Sequence, residues 1–135
     1  MASKNWFQKL KAVLFTQFEK KVRDALNGSY TDIYFTIEED NTEPTKLPTV
    51  FFSELTPIET GNNIDNVSVN ALYETIQITV YSNERSDVKK IMDACVLAMK
   101  SLRFNITGFP IYETNHDIKF GVARFRRLIA EHDFF

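Results

Sequence analysis

Two concentrations of charge stand out in this chain. Arg124, Arg126 and Arg127 surround Phe125 late in the sequence, and Glu38, Glu39, Asp40 and Glu43 crowd together in its first third. A guanidinium fork binds a carboxylate or a phosphate through two parallel hydrogen bonds, which an ammonium cannot do. Basic residues beside an aromatic on a strand also suit single-stranded nucleic acid, whose bases stack on rings while its phosphates meet cations. The run Lys119-Phe120-Gly121-Val122-Ala123-Arg124-Phe125 approaches an RNA-recognition strand, but its residue order departs from that signature. The acidic cluster lacks the alternating oxygen ligands and internal glycine of a calcium loop. It reads as a solvated hairpin tip or as a negatively charged rim.

Sites for catalysis are harder to assemble. Phosphate-binding loops need clustered glycines, and Gly28, Gly61, Gly108 and Gly121 are scattered. Zinc needs three or four suitably spaced ligands, whereas the chain has one cysteine and two histidines. Cys95 falls on an apolar stripe and reads as a small core residue. His116 falls in a turn and His132 in the segment Glu131-His132-Asp133, both read as solvated. Nothing marks a Ser-His-Asp arrangement. The expectation is therefore no catalytic residue, no cofactor and no metal.

The elements that position these residues follow from hydrophobic periodicity. Phe7, Leu10, Leu14, Phe18, Val22 and Ala25 recur at three- and four-residue steps, predicting a helix over 5–26 that stops at Asn27-Gly28. Ile33, Phe35 and Ile37 alternate with polar neighbours, and Val50-Phe51-Phe52 makes a second strand. Residues 75–81 alternate best, with Ile76, Ile78 and Val80 on one side. That period of two predicts one buried face and another that is wet or shared with a partner. A second helix is predicted over 87–102, with Ser86 as N-cap and Val88, Ile91, Met92, Cys95, Val96, Met99 and Leu102 as its stripe. Strands follow over 106–114 and 119–130, with Gly121 as a candidate bulge. Residues 38–47 and 56–70 read as long loops. The order α-β-β-β-α-β-β predicts one α+β domain over residues 1–135, with a mostly antiparallel or mixed sheet and both helices on one face.

Composition agrees with this. The chain has 135 residues, 44% hydrophobic and 25% charged, with 12 Phe and only four Gly and four Pro. A chain of that length can bury about two-thirds of its unfolded surface. One cysteine suits a reducing compartment, and no apolar run approaches the ~20 residues of a membrane helix. The N-terminus has no long apolar core of a signal peptide, so a cytoplasmic origin is expected. The net charge of −2 is unevenly spread. Residues 1–26 carry six Lys/Arg against two Asp/Glu, residues 27–75 one against nine, and residues 76–135 nine against seven. A basic front and an acidic middle suit head-to-tail contacts between copies, or else two solvated faces.

A wider pattern is carried by the alternating strand Ile76-Gln77-Ile78-Thr79-Val80-Tyr81-Ser82, the turn Asn83-Glu84-Arg85-Ser86, and the helix ending Ala98-Met99-Lys100-Ser101-Leu102. Phe104 follows, then a strand, then Arg124-Phe125-Arg126-Arg127. With the long N-terminal helix and the strand beginning at Pro48-Thr49-Val50, the chain resembles the tail terminator (tail completion) proteins of long-tailed bacteriophages over nearly its full length. Arg103 departs from the glycine expected before the Phe. The resemblance implies a structural virion protein of the tail, with no catalytic residue, that forms a ring, typically a hexamer. Such a ring caps the head-proximal end of the tail tube, ends tube polymerisation, and offers a surface to the head–tail connector or stopper protein. DNA would cross the lumen without specific binding, favoured by acidic lumen residues. Glu38, Glu39, Asp40, Glu43, Arg124, Arg126 and Arg127 are the candidates for subunit interface or lumen. The alternatives are another ring-forming neck protein and a small nucleic-acid-binding module using the three arginines.

Overall fold

The computed structural model describes residues 5–37, 48–60 and 71–130. Its elements are α1 (Asn5–Ala25), β1 (Tyr34–Thr36), β2 (Thr49–Thr60), β3 (Ala71–Ser82), α2 (Arg85–Ser101), β4 (Asn105–Asn115) and β5 (Ile118–Ala130). The strands form one mixed sheet in the order β1-β2-β3-β5-β4. β1 runs parallel to β2, and every other pairing is antiparallel. This is the expected α+β architecture.

The sheet has a helix-facing side set by strand parity. Val50, Val80 and Gly121 share one cross-strand row, and Phe52, Ile78 and Ala123 share the next on the same face. From α1, the Phe15 and Phe18 rings meet Phe52 at 5.5 and 5.0 Å, and Phe18 meets Phe35 edge-on at 6.2 Å. From α2, Val88, Ile91, Met92, Cys95, Ala98 and Met99 are buried in the same core. Both helices thus cover one face, and removing their stripes from water drives that arrangement, at about 25 cal/mol per Å² of apolar surface.

The ends of the helices show how local chemistry fixes the path. After α1, Gly28 has φ +84 and Asn27 φ 51, the left-handed conformations that end a helix. Arg23 then holds the returning chain. Its Nη2 donates to the Ile33 carbonyl at 3.2 Å, and its guanidinium lies 4.7 Å over the Phe35 ring. The Tyr30 hydroxyl donates to Asp87 Oδ1 at 2.8 Å, tying the same loop to the first turn of α2. At the far end of α2, Phe104 N–H bonds the Met99 carbonyl and Arg103 N–H the Lys100 carbonyl. That is a Schellman closure with Arg103 at the left-handed position, φ 68, where glycine is the usual residue.

Several boundaries differ from the expectations. Residues 56–60, expected in a loop, belong to β2. The β2–β3 register shifts between Leu55 and Ile58, so Pro57 sits at the irregularity and not in a regular ladder. α2 begins at Arg85 with Glu84 at the cap position, so Ser86 lies inside the first turn and is not the N-cap. Gly121 marks no bulge. It pairs in regular register with Val80, and the irregularities of the last hairpin lie in β4, between Ile106 and Ile111. The absent side chain serves packing instead, because a Cβ on Gly121 would stand 2.9 Å from the Tyr112 ring and 3.2 Å from Val88. The segment 61–70 lies outside the described residues, as does His132.

Candidate interaction surface

Among the described residues no helix covers the opposite face of the sheet. On β5 its parity takes in Phe120, Val122, Arg124, Arg126 and Leu128, and on β3 it takes in Tyr73, Thr75, Gln77, Thr79 and Tyr81. β2 adds Phe51 beside Thr79, and β4 adds Ile111 beside Val122. The sequence pattern of β3 and β5 fixes this composition, because alternate residues of a strand point to opposite faces. Large apolar groups on this face and at its edge lie open. Ile111 is 63% exposed and Leu128 47%, while Phe109, at the irregular middle of edge strand β4, is 75% exposed. Set along a sheet face that no described helix covers, these exposed side chains make it the candidate interaction surface.

The two outer-face arginines are held in place. Arg124 Nε donates to Gln77 Oε1, its direct cross-strand neighbour, at 2.9 Å. Its stem runs beside Gly108, where a Cβ would come to 3.4 Å of the Arg124 Cβ. The Arg126 guanidinium lies 4.0 Å over the ring of Tyr73, its diagonal neighbour. Arg126 Nε is buried with no hydrogen-bond partner among the described residues. The Tyr81 and Phe120 ring centroids lie 5.9 Å apart on the same face, the rings tilted by 37°, and burial raises the Tyr81 pKa.

Arg127 separates from these two. It has the other parity, is only 7% exposed, and stands directly across from Glu74, which is fully buried. Its Nη1 donates to the Leu102 carbonyl at 3.1 Å, one of the carbonyls that α2 leaves open at its end. Arg127 therefore works inside the subunit, as an opposite-charge cross-strand partner and a helix-end donor, and not on a surface it could offer to a neighbour. The run of three arginines is split by strand parity. Glu38, Glu39, Asp40 and Glu43 lie outside the described residues.

The groups screened for chemistry stay apart. Cys95 is buried in the core and burial pushes its thiol pKa upward, which leaves it a poor nucleophile. His116 is exposed in the β4–β5 turn with φ 56. Among the described residues no group of three or more His, Cys, Asp or Glu could hold a metal ion, and no helix is long and apolar enough to cross a membrane. The residues missed at the sequence level were Tyr73, Gln77, Tyr81, Phe120 and Leu128. Their signal was present as the second parity of the two best alternating strands.

No protein-family model matches the chain, and no curated protein matches it.

Proposed function

We propose that this chain is a structural subunit that assembles with copies of itself into a closed ring, of the tail-terminator kind, at the head-proximal end of a long bacteriophage tail. The observation that carries the reading is the sheet face that no described helix covers, with Ile111 and Leu128 exposed around the fixed cations Arg124 and Arg126. Its occupant is a second copy. The chain supplies complementary charge itself, since residues 27–75 hold nine Asp/Glu against one Lys, of which Glu74 is spent inside the subunit. A contact between two different surfaces of one protein is heterologous, and such contacts generate rings when the rotation closes. In the virion this ring would end tube polymerisation, meet the tail tube protein on one side and the connector or stopper on the other, and let DNA pass without specific binding.

Negative-stain images of the purified protein, alone and mixed with tail tubes, test the reading. Closed rings or capped tube ends are expected. A stable two-fold dimer both in solution and on the tail would overturn it. A second reading, a single-strand nucleic-acid module, draws on Arg126 over Tyr73 and on the Tyr81–Phe120 ring pair at the other end of the same face. It requires oligonucleotide affinity that falls steeply with salt, together with an absence of assembly.

A further inference from the structure

We infer that Arg124 and Arg126 form a two-point reader for an extended acidic polypeptide, whose carboxylates at alternate positions each meet one guanidinium. This rests on the reading of that sheet face as a contact surface, and it names the chemistry of what lies there. Residues two apart on a strand stand about 6.6 Å from each other on the same face. A partner in extended conformation presents alternate side chains at that same repeat, so the two spacings match without adjustment.

Both arginines are committed before a partner arrives. Arg124 spends its Nε on Gln77, which leaves the two terminal nitrogens of the fork to bind. The Arg126 guanidinium carbon lies 4.0 Å over the Tyr73 ring, a support that consumes none of its donors. Its Nε has no partner among the described residues. Preorganised forks lose little freedom on binding, which favours bidentate capture of a carboxylate. Val122 and Leu128 flank the arginines at the same parity, with Ile111 beside Val122, so they suit aliphatic side chains at the next same-side positions of a peptide strand, on either side of the two carboxylates. Charge also favours a short acidic peptide over a nucleic acid. Arg124 and Arg126 are the cations among the described strand residues of this face, on a chain of net charge −2, whereas a phosphate backbone draws its affinity from many neutralised charges. The chain's own sequence carries the spacing at Glu38 and Asp40 and again at Glu131 and Asp133.

The test uses the full chain and a fluorescein-labelled synthetic peptide of alternating Thr and Glu, followed by anisotropy at low salt. Sedimentation velocity on the same samples reads assembly. The expected result is saturable binding at one peptide per chain. Arg124→Gln and Arg126→Gln should each weaken it about tenfold, the loss of one charge-assisted bond. Arg126→Lys should weaken it as well, because an ammonium keeps the charge and loses the stacked fork. Unchanged melting temperatures show that the variants still fold. Equal binding of an alternating Thr–Gln peptide, unchanged affinity in the folded arginine variants, or tighter binding of a single-stranded oligonucleotide of equal charge overturns the inference. Rings that form normally while the peptide fails to bind remove this inference and leave the assembly reading standing. Peptide binding without any assembly does the reverse.

Discussion

Adding one carbon atom at Gly121 tests the packing that joins the last hairpin to α2. A Cβ there would stand 2.9 Å from two atoms of the Tyr112 ring and 3.2 Å from a Val88 methyl. Tyr112 is partly buried against the core, and Lys89 Nζ lies 5.7 Å from its ring centroid. The ring therefore cannot step aside without giving up contacts. Overpacking of this type costs about 1–3 kcal/mol. The Gly→Ala change also restricts the unfolded chain, returning about 0.4–1 kcal/mol where the backbone is compatible. Gly121 sits in regular strand register, so that gain applies. The net expectation for Gly121→Ala is a loss of about 1–2 kcal/mol, or roughly 4–8 °C in Tm for a domain of this size. Urea denaturation of Gly121→Ala, Tyr112→Ala and the double variant measures it. Once the ring is gone the added methyl meets open space on that side, so in the Tyr112→Ala background the Gly121 substitution should become neutral or stabilising. A penalty of the same size in both backgrounds would refute the account of Gly121 as a seat for the Tyr112 ring.

Arg127→Ala should cost about 3–5 kcal/mol, because it leaves the buried Glu74 carboxylate without its facing cation, while Arg124→Ala on the outer face should cost under about 0.5 kcal/mol; equal small losses in urea denaturation would show that burial does not distinguish the two. Cys95 should resist a thiol reagent in the native protein at pH 8 and react fully in denaturant. Because its folded pKa is raised, the unfolded thiol ionises first, near the ordinary 9.0. The stability it contributes is then complete below that pH and declines as pH rises further. Rapid native-state labelling would contradict this, whereas Cys95→Ala should lower stability by only about 1 kcal/mol.

Both helices and the inner face of the sheet could be read from sequence because each depends on one local period. Leu14, Phe18 and Val22 fall at helical steps, and Ile76, Ile78 and Val80 alternate, so burial follows from position alone. Two kinds of feature escaped that logic. The end of β2 was hidden because Pro57 signals a break, and only the pairing with β3 shows that the irregularity absorbs it. The candidate surface was half legible. Three neighbouring arginines look like one basic site on paper, yet parity sends Arg127 inward to Glu74, a partner more than fifty positions earlier in the chain. Tyr73 under Arg126 was equally invisible, since the contact is diagonal across strands and depends on register. Arg103 is a different case, where an arginine holds the left-handed conformation that glycine favours.

The strand order has a consequence for how the protein is made. β5 is the last of the described strands, yet it lies between β3 and β4, so these two have no common neighbour until residues 118–130 have been synthesised. Before that moment a nascent chain can join β2 to β3 and raise α2, but Ile76 and Ile78 face a gap where Phe125 and Ala123 will later stand. The open flank of β3 is a row of unpaired amides and carbonyls beside apolar side chains, which invites pairing with other chains. Cooperative folding must therefore wait until β5 has emerged from the ribosome, and a nonsense mutation a few codons before β5 would yield an aggregating product and not a shortened domain.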